Sequence, residues 1–276
     1  MGTLYHPPAS RHERKATLSE PARQHRLYRL EGVVLAGMDF KEADRILTLF
    51  SREEGKLRVI AKGIRKPTSR LGYGLDHLAR VRLQLAGGRE LDVVTGVELL
   101  DAHPALAGDV RAYAYASHVA ELVDRLTVDR QANPAVFDIL TGALAAITSG
   151  ADPYPVARYA ELSLFTLLGF RPELYACVGC GGEIGPVVNA LSPRLGGLLC
   201  PACQRGEHGE YPLSVEAQKY LRHLDRAGLA ANLGLNPSER ARRELEWAML
   251  AWARQHAERD FTSLAVLRQV QSGEVT

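Results

Sequence analysis

Short segments in which apolar and polar residues alternate occupy the N-terminal third of the chain. A period of two residues is typical of β-strands that bury one face, and turn-forming residues separate the segments. The five predicted strands are Tyr28–Ala36, Ala43–Phe50, Lys56–Ala61, Ala79–Leu85 and Arg89–Val97. Five strands within about 70 residues favour a small closed barrel.

After His103-Pro104 the apolar residues recur at the spacing of an α-helix, which predicts a bundle of amphipathic helices. Capping residues mark several helix ends. The first predicted helix contains the repeat Val119, Leu122, Val123 and Leu126, and the second lies between Asn133-Pro134 and Gly150. The third, from about Pro155 to Leu168, is apolar nearly all round and is expected at the centre of the bundle. A fourth begins at Ser214, and a last one has Asn236-Pro237-Ser238-Glu239 as a capping box. The expected fold is therefore α+β and multidomain, with a C-terminal α-helical bundle.

All four cysteines fall into two Cys-x-x-Cys pairs, Cys177 with Cys180 and Cys200 with Cys203. Each pair can place two sulfurs on one edge of a tetrahedron, and the 19-residue insert lets the second pair close the opposite edge. The arrangement predicts one structural Zn²⁺ ion bound by four cysteines. The alternatives are two disulfides or a redox dithiol, but disulfide frameworks normally belong to small secreted domains.

A catalytic zinc ion fits these cysteines less well than a structural one. Four thiolates would fill the coordination sphere and leave no position for an activated water. His256-Ala257-Glu258 superficially matches the H-x-E element of nucleobase deaminases, but it follows the cysteines instead of preceding them. We also find no phosphate-binding loop, dinucleotide-binding glycine motif, nucleophile elbow or H-E-x-x-H helix. The chain is therefore not expected to be an enzyme.

The 276 residues are 46% apolar, which is enough to form the cores of two or three domains. No segment approaches the roughly 18 apolar residues of a membrane span, and no secretory leader is visible, so we expect a cytoplasmic protein without membrane contact. Residues 1–26 lack apolar periodicity and are expected to form a flexible basic arm. The predicted division is a barrel domain at 27–103 and a helical domain at 104–276, with the zinc module at 175–206.

The net charge of +2 conceals a segregation of charge along the chain. Eight basic residues and one acid lie between Lys56 and Arg82, whereas nine acids and three arginines lie between Glu90 and Leu140. The third and fourth strands carry basic side chains on their polar faces, and the loop after the third is expected to have an extended, mobile backbone. The candidate contacts to nucleic acid are Lys56, Arg58, Lys62, Arg65, Lys66, Arg70, Arg80 and Arg82.

Five-stranded barrels of the oligonucleotide-binding (OB) fold bind through one strand face and the adjoining loops, with basic side chains on phosphates and aromatic rings on bases. The basic strands and loop favour this fold for residues 27–103. The alternative is that the lysines and arginines only solvate an outward strand face. Aromatic residues are few in the barrel, and Phe50 is expected in its core, so sequence-specific base stacking is not predicted.

Four runs of the sequence resemble the RecO family of bacterial recombination and repair proteins. The first three, Gly32–Leu35, Glu42–Phe50 and Glu54–Lys66, are similar to the OB-fold barrel of that family, and Leu164–Cys180 is similar to its approach to the zinc module. The resemblance extends from about Leu27 to the C-terminal helices. It implies DNA contacts at the basic residues from Lys56 to Arg70.

The resemblance also implies a biochemical role. RecO proteins bind single- and double-stranded DNA, anneal complementary strands, and act with RecR to place RecA on DNA covered by single-strand DNA-binding protein. The expected partners are therefore DNA, RecR and single-strand DNA-binding protein, in the cytoplasm at the nucleoid. The alternatives are a nucleic-acid-modifying zinc enzyme, which needs an open metal site, and a zinc-ribbon transcription factor, which needs a recognition helix.

Overall fold

The computed structural model describes residues 27–69, 71, 74–205, 209–257 and 261. Five strands form a closed barrel in the order β1-β2-β3-β5-β4, in which only the β3–β5 pairing is parallel. They are β1 (Leu27–Phe40), β2 (Asp44–Ser51), β3 (Gly55–Ala61), β4 (Arg80–Ala86) and β5 (Asp92–Asp101). The predicted barrel is confirmed. The predicted arm at residues 1–26 lies outside the described residues.

The interior of the barrel follows the predicted alternation. Leu57 and Val59 of β3 and Val81 and Leu83 of β4 are buried in one apolar cluster, because successive side chains of a strand point to opposite faces. The structure extends β1 to Phe40, four residues beyond the predicted end. There the strand leaves the barrel and continues as a hairpin with β2, so its side chains are exposed and the burial pattern no longer alternates.

The C-terminal part forms the predicted helical bundle. Its helices are α1 (Val110–Leu126), α2 (Pro134–Thr148), α3 (Pro153–Leu167), α4 (Val215–Arg226), the short α5 (Leu229–Asn232) and α6 (Glu239–His256). The caps at Asn133 and Ser214 are confirmed, since each side chain accepts a backbone N–H of the first turn. The capping box at Asn236 is wrong, because Oγ of Ser238 accepts the N–H of Ala241 and the helix begins at Glu239.

A small sheet lies between α3 and α4 in the chain. Its strands are β6 (Asn189–Ser192), β7 (Gly197–Leu199) and β8 (Tyr211–Leu213), in the order β7-β6-β8. The sheet extends beyond residue 206 because β8 pairs with β6. Among the residues that the structure describes, no helix is both long and apolar enough to cross a membrane.

The barrel packs against α1 and α2 through apolar and polar contacts. Val33 and Phe50 belong to the same buried cluster as the helical core. Nζ of Lys56 donates to the main-chain oxygen of Asp124 at 2.5 Å, and the N–H of Arg130 donates to the main-chain oxygen of Lys56 at 2.7 Å. A Cβ on Gly55 would lie 2.0 Å from the main-chain oxygen of Gln131, so the close approach requires glycine here.

A buried carboxylate forms a second link between barrel and helices. Asp92 accepts the hydroxyl of Tyr28 at 2.6 Å and a guanidinium N–H of Arg130. Burial raises the pKa of Asp92, but the hydrogen bonds from Arg130 and Tyr28 outweigh it and hold this pKa below its usual value. Burial, followed by the bond to Asp92, raises the pKa of Tyr28 to about 12. The link is therefore made by an ionised Asp92.

We expect Asp92→Asn to lower the free energy of unfolding by about 1–3 kcal/mol at neutral pH, the cost of weakening hydrogen bonds to a charged acceptor. Because the pKa of Asp92 is lowered in the folded state, its contribution is present above the unfolded pKa of about 3.9 and is lost as the pH falls through the folded value. Urea unfolding at pH 7 and at a series of pH values below about 4 measures both effects. The exposed Asp76→Asn is the control, and an equal loss in the two variants would contradict the prediction.

Candidate nucleic-acid interface and metal centre

Four of the predicted contacts lie on β3 and on the turn that follows it. Arg58 projects from β3, and Lys62, Arg65 and Lys66 lie on the turn that follows it. All four are exposed. We name these four residues the barrel-end cluster. Arg70, another predicted contact, lies outside the described residues.

Hydrogen bonds fold the backbone of this turn, in place of the extended conformation expected for the loop, whose Gly72 lies outside the described residues. The N–H of Lys66 donates to the main-chain oxygen of Gly63, which has a φ of 66°. The N–H of Arg65 donates to the main-chain oxygen of Ala43 at 3.1 Å, which joins the turn to the start of β2. Ile64 is buried in the barrel core. The cations are therefore presented by an ordered turn, which lowers the entropy cost of ligand binding.

Most charges of the barrel-end cluster are not neutralised within the described part of the chain. Arg58, Lys62 and Lys66 make no ion pair there, and a guanidinium nitrogen of Arg65 lies 3.4 Å from a carboxylate oxygen of Asp39. Exposed ion pairs contribute little free energy, so Arg65 can exchange Asp39 for a phosphate at small cost. The cluster is a positively charged surface open to an anionic ligand.

The structure places the other three predicted contacts elsewhere. Lys56 has a side chain only 14% exposed and lies in the contact between barrel and helices. Arg80 and Arg82 of β4 form ion pairs with Glu31 at 2.5 Å and Glu98 at 2.7 Å, respectively. Because β5 separates β4 from β3 on one side of the barrel, the two basic strands do not form one continuous face.

The tip of the β1–β2 hairpin adds residues that the sequence did not single out. Met38 and Phe40 are exposed there, and Nζ of Lys41 lies 5.4 Å from the centroid of the Phe40 ring. Arg45 of β2 forms an ion pair with Asp39 at 3.0 Å, the same carboxylate that Arg65 contacts. The shared Asp39 brings the hairpin next to the barrel-end cluster. Phe50 is buried as a core residue, but it lies in the cluster shared with the helices and not in the interior of the barrel.

The four cysteines converge, as the spacing predicted. Their sulfur atoms all lie within 4.8 Å of one another, and Sγ of Cys180 lies 3.9 Å from Sγ of Cys200. Two sulfurs bound to the same Zn²⁺ at about 2.3 Å in a tetrahedron are about 3.8 Å apart. The structure therefore brings the cysteines together at a spacing that a metal ion can close.

Backbone groups shape this cluster for thiolates. The N–H groups of Cys200 and Gly179 donate to Sγ of Cys177 at 3.3 and 3.4 Å. A Cβ on Gly179 would lie 3.0 Å from Cβ of Cys203, and one on Gly197 would lie 2.5 Å from the main-chain oxygen of Glu173. The two glycines permit the close packing of the turns around the sulfurs.

The pKa values of the thiols differ widely because the groups are so close. Burial raises the pKa of Cys177, but hydrogen bonds from the N–H groups of Cys200, Cys180 and Gly179 outweigh it and lower this pKa to about 6. Interactions with the sulfurs of Cys200, Cys180 and Cys177 raise the pKa of Cys203 to about 12. Like charges at this distance oppose each other. Full ionisation of the cluster therefore requires a cation, and four sulfurs suit Zn²⁺.

His256, the first residue of the deaminase-like triplet, is half-buried at the end of α6. Its ring stacks on that of Phe170 with centroids 4.4 Å apart, and its centroid lies 5.5 Å from that of Trp252. Burial lowers the pKa of His256. These contacts pack the end of α6 against the bundle, which is a structural role for His256. Glu258, the other polar residue of the deaminase-like triplet, lies outside the described residues.

Two family models match most of the chain. Residues 26–103 match the model described as "Recombination protein O N terminal", and residues 107–265 match "Recombination protein O C terminal". The chain is 38% identical over 245 residues to the "DNA repair protein RecO" of Roseiflexus sp. (strain RS-1), with 89% of this chain and 86% of the relative covered. It is 37% identical over 244 residues to that of Desulforudis audaxviator (strain MP104C), with 88% and 97% covered. The chain belongs to the RecO family, which acts in DNA repair and recombination.

Proposed function

We propose that this protein binds single- and double-stranded DNA through the barrel-end cluster and anneals complementary strands. The observation that supports this most is the group of exposed cations on one ordered turn, three of them without an ion pair among the described residues. Annealing requires two phosphate backbones to approach each other, and bound cations screen their repulsion. Phe40 at the neighbouring hairpin tip offers a ring for one base.

The proposed cellular role follows from membership of the family. The protein would act with RecR to place RecA on DNA covered by single-strand DNA-binding protein. We assign the DNA contacts first to Arg58, Lys62, Arg65 and Lys66. Lys56, Arg80 and Arg82 are weaker candidates, because carboxylates of the chain already contact their charged groups.

We infer that the cysteine cluster holds one Zn²⁺ with a structural role. The ion would be bound by Cys177, Cys180, Cys200 and Cys203, and it would supply folding free energy to a module with a three-stranded sheet. A closed set of four thiolates leaves no position for a metal-bound water. This supports a mediator of DNA pairing over a nucleic-acid-modifying zinc enzyme.

The combined substitution Lys62→Gln, Arg65→Gln and Lys66→Gln is expected to weaken binding of every oligonucleotide by a similar factor. Each single-strand phosphate contact contributes about 0.7 to the log–log salt slope, so the slope should flatten by about 2. Annealing should decrease in parallel. Fluorescence anisotropy with unrelated single strands across a salt series measures the slope.

The matched control for charge is the pair Arg80→Gln and Arg82→Gln, because these arginines lie on the barrel but contact Glu31 and Glu98. It should change the slope by less than about 1. A triple variant that keeps the wild-type slope and annealing rate would contradict the assignment. Loss of affinity for one sequence only would favour a transcription factor that reads base edges.

A further inference from the structure

The second feature that suits nucleic acid is a tryptophan on the outside of α6. The chain has two tryptophans, of which Trp252 is 1% exposed and donates from Nε1 to the main-chain oxygen of Phe170 at 2.9 Å. Trp247, only five positions earlier, is 54% exposed. A large ring left more than half in water is unusual in a folded domain and often marks an interaction surface.

Arginines flank Trp247 on the same side of the helix. Arg240, Arg243 and Arg254 are exposed and, with Trp247, are spaced by three, four and seven residues. Residues at these intervals lie on one face of an α-helix. At 1.5 Å per residue, the stripe from Arg240 to Arg254 is about 21 Å long. At the stacked spacing of about 3.4 Å per nucleotide, a stripe of this length spans about six nucleotides of a single strand.

Two adjoining open clefts run along this stripe, between α6 and the small sheet. One, of about 380 Å³, is lined by Tyr211 and Pro212 of β8 and by Arg240, Arg243, Glu244 and Trp247 of α6. The other, of about 310 Å³, is lined by Tyr211, Arg194 and Arg254. Tyr211 belongs to both clefts. Each cleft thus combines at least one aromatic ring with cationic side chains.

The charges around the clefts are predominantly positive. Four arginines line them, Arg194, Arg240, Arg243 and Arg254, against two glutamates. Glu244 accepts the N–H of Ser214 at 2.7 Å and Nε of Arg240 at 2.9 Å, and Arg243 lies 3.9 Å from Glu239. Both arginines are exposed, so these ion pairs contribute little free energy and can be exchanged for phosphates at small cost. The other glutamate, Glu210, accepts the N–H of Arg205 at 3.3 Å. The surface therefore favours a polyanion over a neutral or cationic partner.

We propose that the α6 stripe and its clefts are a second site for single-stranded DNA, in which a base stacks on Trp247 and the arginines contact phosphates. Rings combined with a cationic groove are the usual means of binding single strands without sequence preference. The barrel-end cluster has many cations and few rings, so the two sites differ in chemistry. This inference rests on the proposed annealing function, since it supplies the site for the second strand.

A nucleic acid fits the surface better than an acidic peptide does. A peptide that binds tightly usually anchors one side chain in an enclosed, desolvated pocket, whereas these clefts are open and the cations are distributed along the whole stripe. A single strand repeats its charge and its flat bases at regular intervals. That repetition matches arginines on both sides of an exposed ring.

Intrinsic tryptophan fluorescence of the full chain tests the proposal directly. Because Trp252 is buried, a change in emission on adding an oligo-dT single strand reports mainly on Trp247. We expect quenching that saturates with oligo-dT. Trp247→Ala should weaken binding at this site by about 5- to 100-fold, the range for losing one stacked base, and should slow annealing. Trp247→Phe keeps a ring and should restore most of the annealing rate.

Two further measurements distinguish DNA binding at this site from DNA binding at the barrel. In the triple variant of Lys62, Arg65 and Lys66, oligo-dT should still quench Trp247 even though the overall affinity is lower. Lys219→Gln, an exposed cation on α4, is the charge control and should leave quenching unchanged. If the triple variant kept the wild-type salt slope while Trp247 was still quenched, the barrel assignment alone would fail.

The inference would be overturned by either of two results. In the first, oligo-dT leaves the tryptophan emission unchanged, whereas an acidic peptide of matched charge quenches it. The clefts would then be a peptide site. The second is a Trp247→Ala variant that folds and anneals strands at the wild-type rate. Circular dichroism of both Trp247 variants establishes that α6 is still formed.

Discussion

Cys200→Ser is expected to release the bound metal and to unfold the small sheet with its two cysteine turns. Structural Zn²⁺ contributes about 10–16 kcal/mol to the folding of isolated zinc-finger peptides at pH 7. Here the cost should extend further, because Leu191, Leu198 and Leu213 of the sheet belong to the same buried cluster as the helical core. Elemental analysis and thermal unfolding under reducing conditions measure the two losses.

A chelator provides the matched control for this experiment. It should lower the melting temperature of the wild-type protein and leave that of Cys200→Ser unchanged, since both treatments remove the same ion. DNA binding at the barrel should persist in the variant, because the barrel has a separate apolar cluster. Wild-type protein that is purified under reducing conditions and contains no metal would refute the zinc assignment.

The sequence was sufficient to predict the architecture of the barrel and the position of the cysteine cluster. Alternation in β3 determines which residues are buried, and the spacing of Cys177, Cys180, Cys200 and Cys203 determines a compact four-sulfur arrangement. Both signals are local. They depend on the periodicity of a strand and on the geometry of a tight turn, which a few neighbouring residues specify.

The sequence was not sufficient to predict which cations remain available for a ligand. Arg82 pairs with Glu98 because the register of β4 and β5 sets them opposite each other, and Lys56 contacts Asp124 because the barrel packs on α1. These contacts depend on tertiary packing or on a strand register that is interrupted by bulges. Trp247 was likewise missed, although helical spacing places it away from the apolar face formed by Ala241, Leu245, Ala248 and Trp252, which was the available signal.

A group of buried charges in α3 was also not predicted from the hydrophobic pattern. The helix is apolar nearly all round, as expected of the centre of a bundle, yet Arg158 and Glu161 are each 2% exposed. A charged pair three residues apart on such a helix was the available signal. Nη2 of Arg158 donates to Oε1 of Glu161 at 2.5 Å, and Nε2 of His118 lies 2.6 Å from the same oxygen. The guanidinium also lies 5.5 Å from the ring centroid of Tyr154.

Glu161→Leu is expected to lower the free energy of unfolding by about 3–5 kcal/mol, because it removes the main counter-charge of the buried Arg158 guanidinium and leaves only the weaker attraction of Glu246. The cost of desolvating Arg158 is then no longer offset by the attraction of the carboxylate. Loss of the bond to His118 adds to the effect. Urea unfolding at pH 7, with the slope of the transition checked for constancy, measures the change.

The double substitution Arg158→Met with Glu161→Leu distinguishes a broken ion pair from a disturbed packing. Replacing both members of a buried pair by apolar residues of similar volume is often neutral or stabilising. The double variant should therefore recover most of the stability that Glu161→Leu loses, and the difference gives a coupling energy of about 1–3 kcal/mol. A double variant as unstable as Glu161→Leu would show that shape, and not the uncompensated charge of Arg158, makes Glu161 necessary in α3.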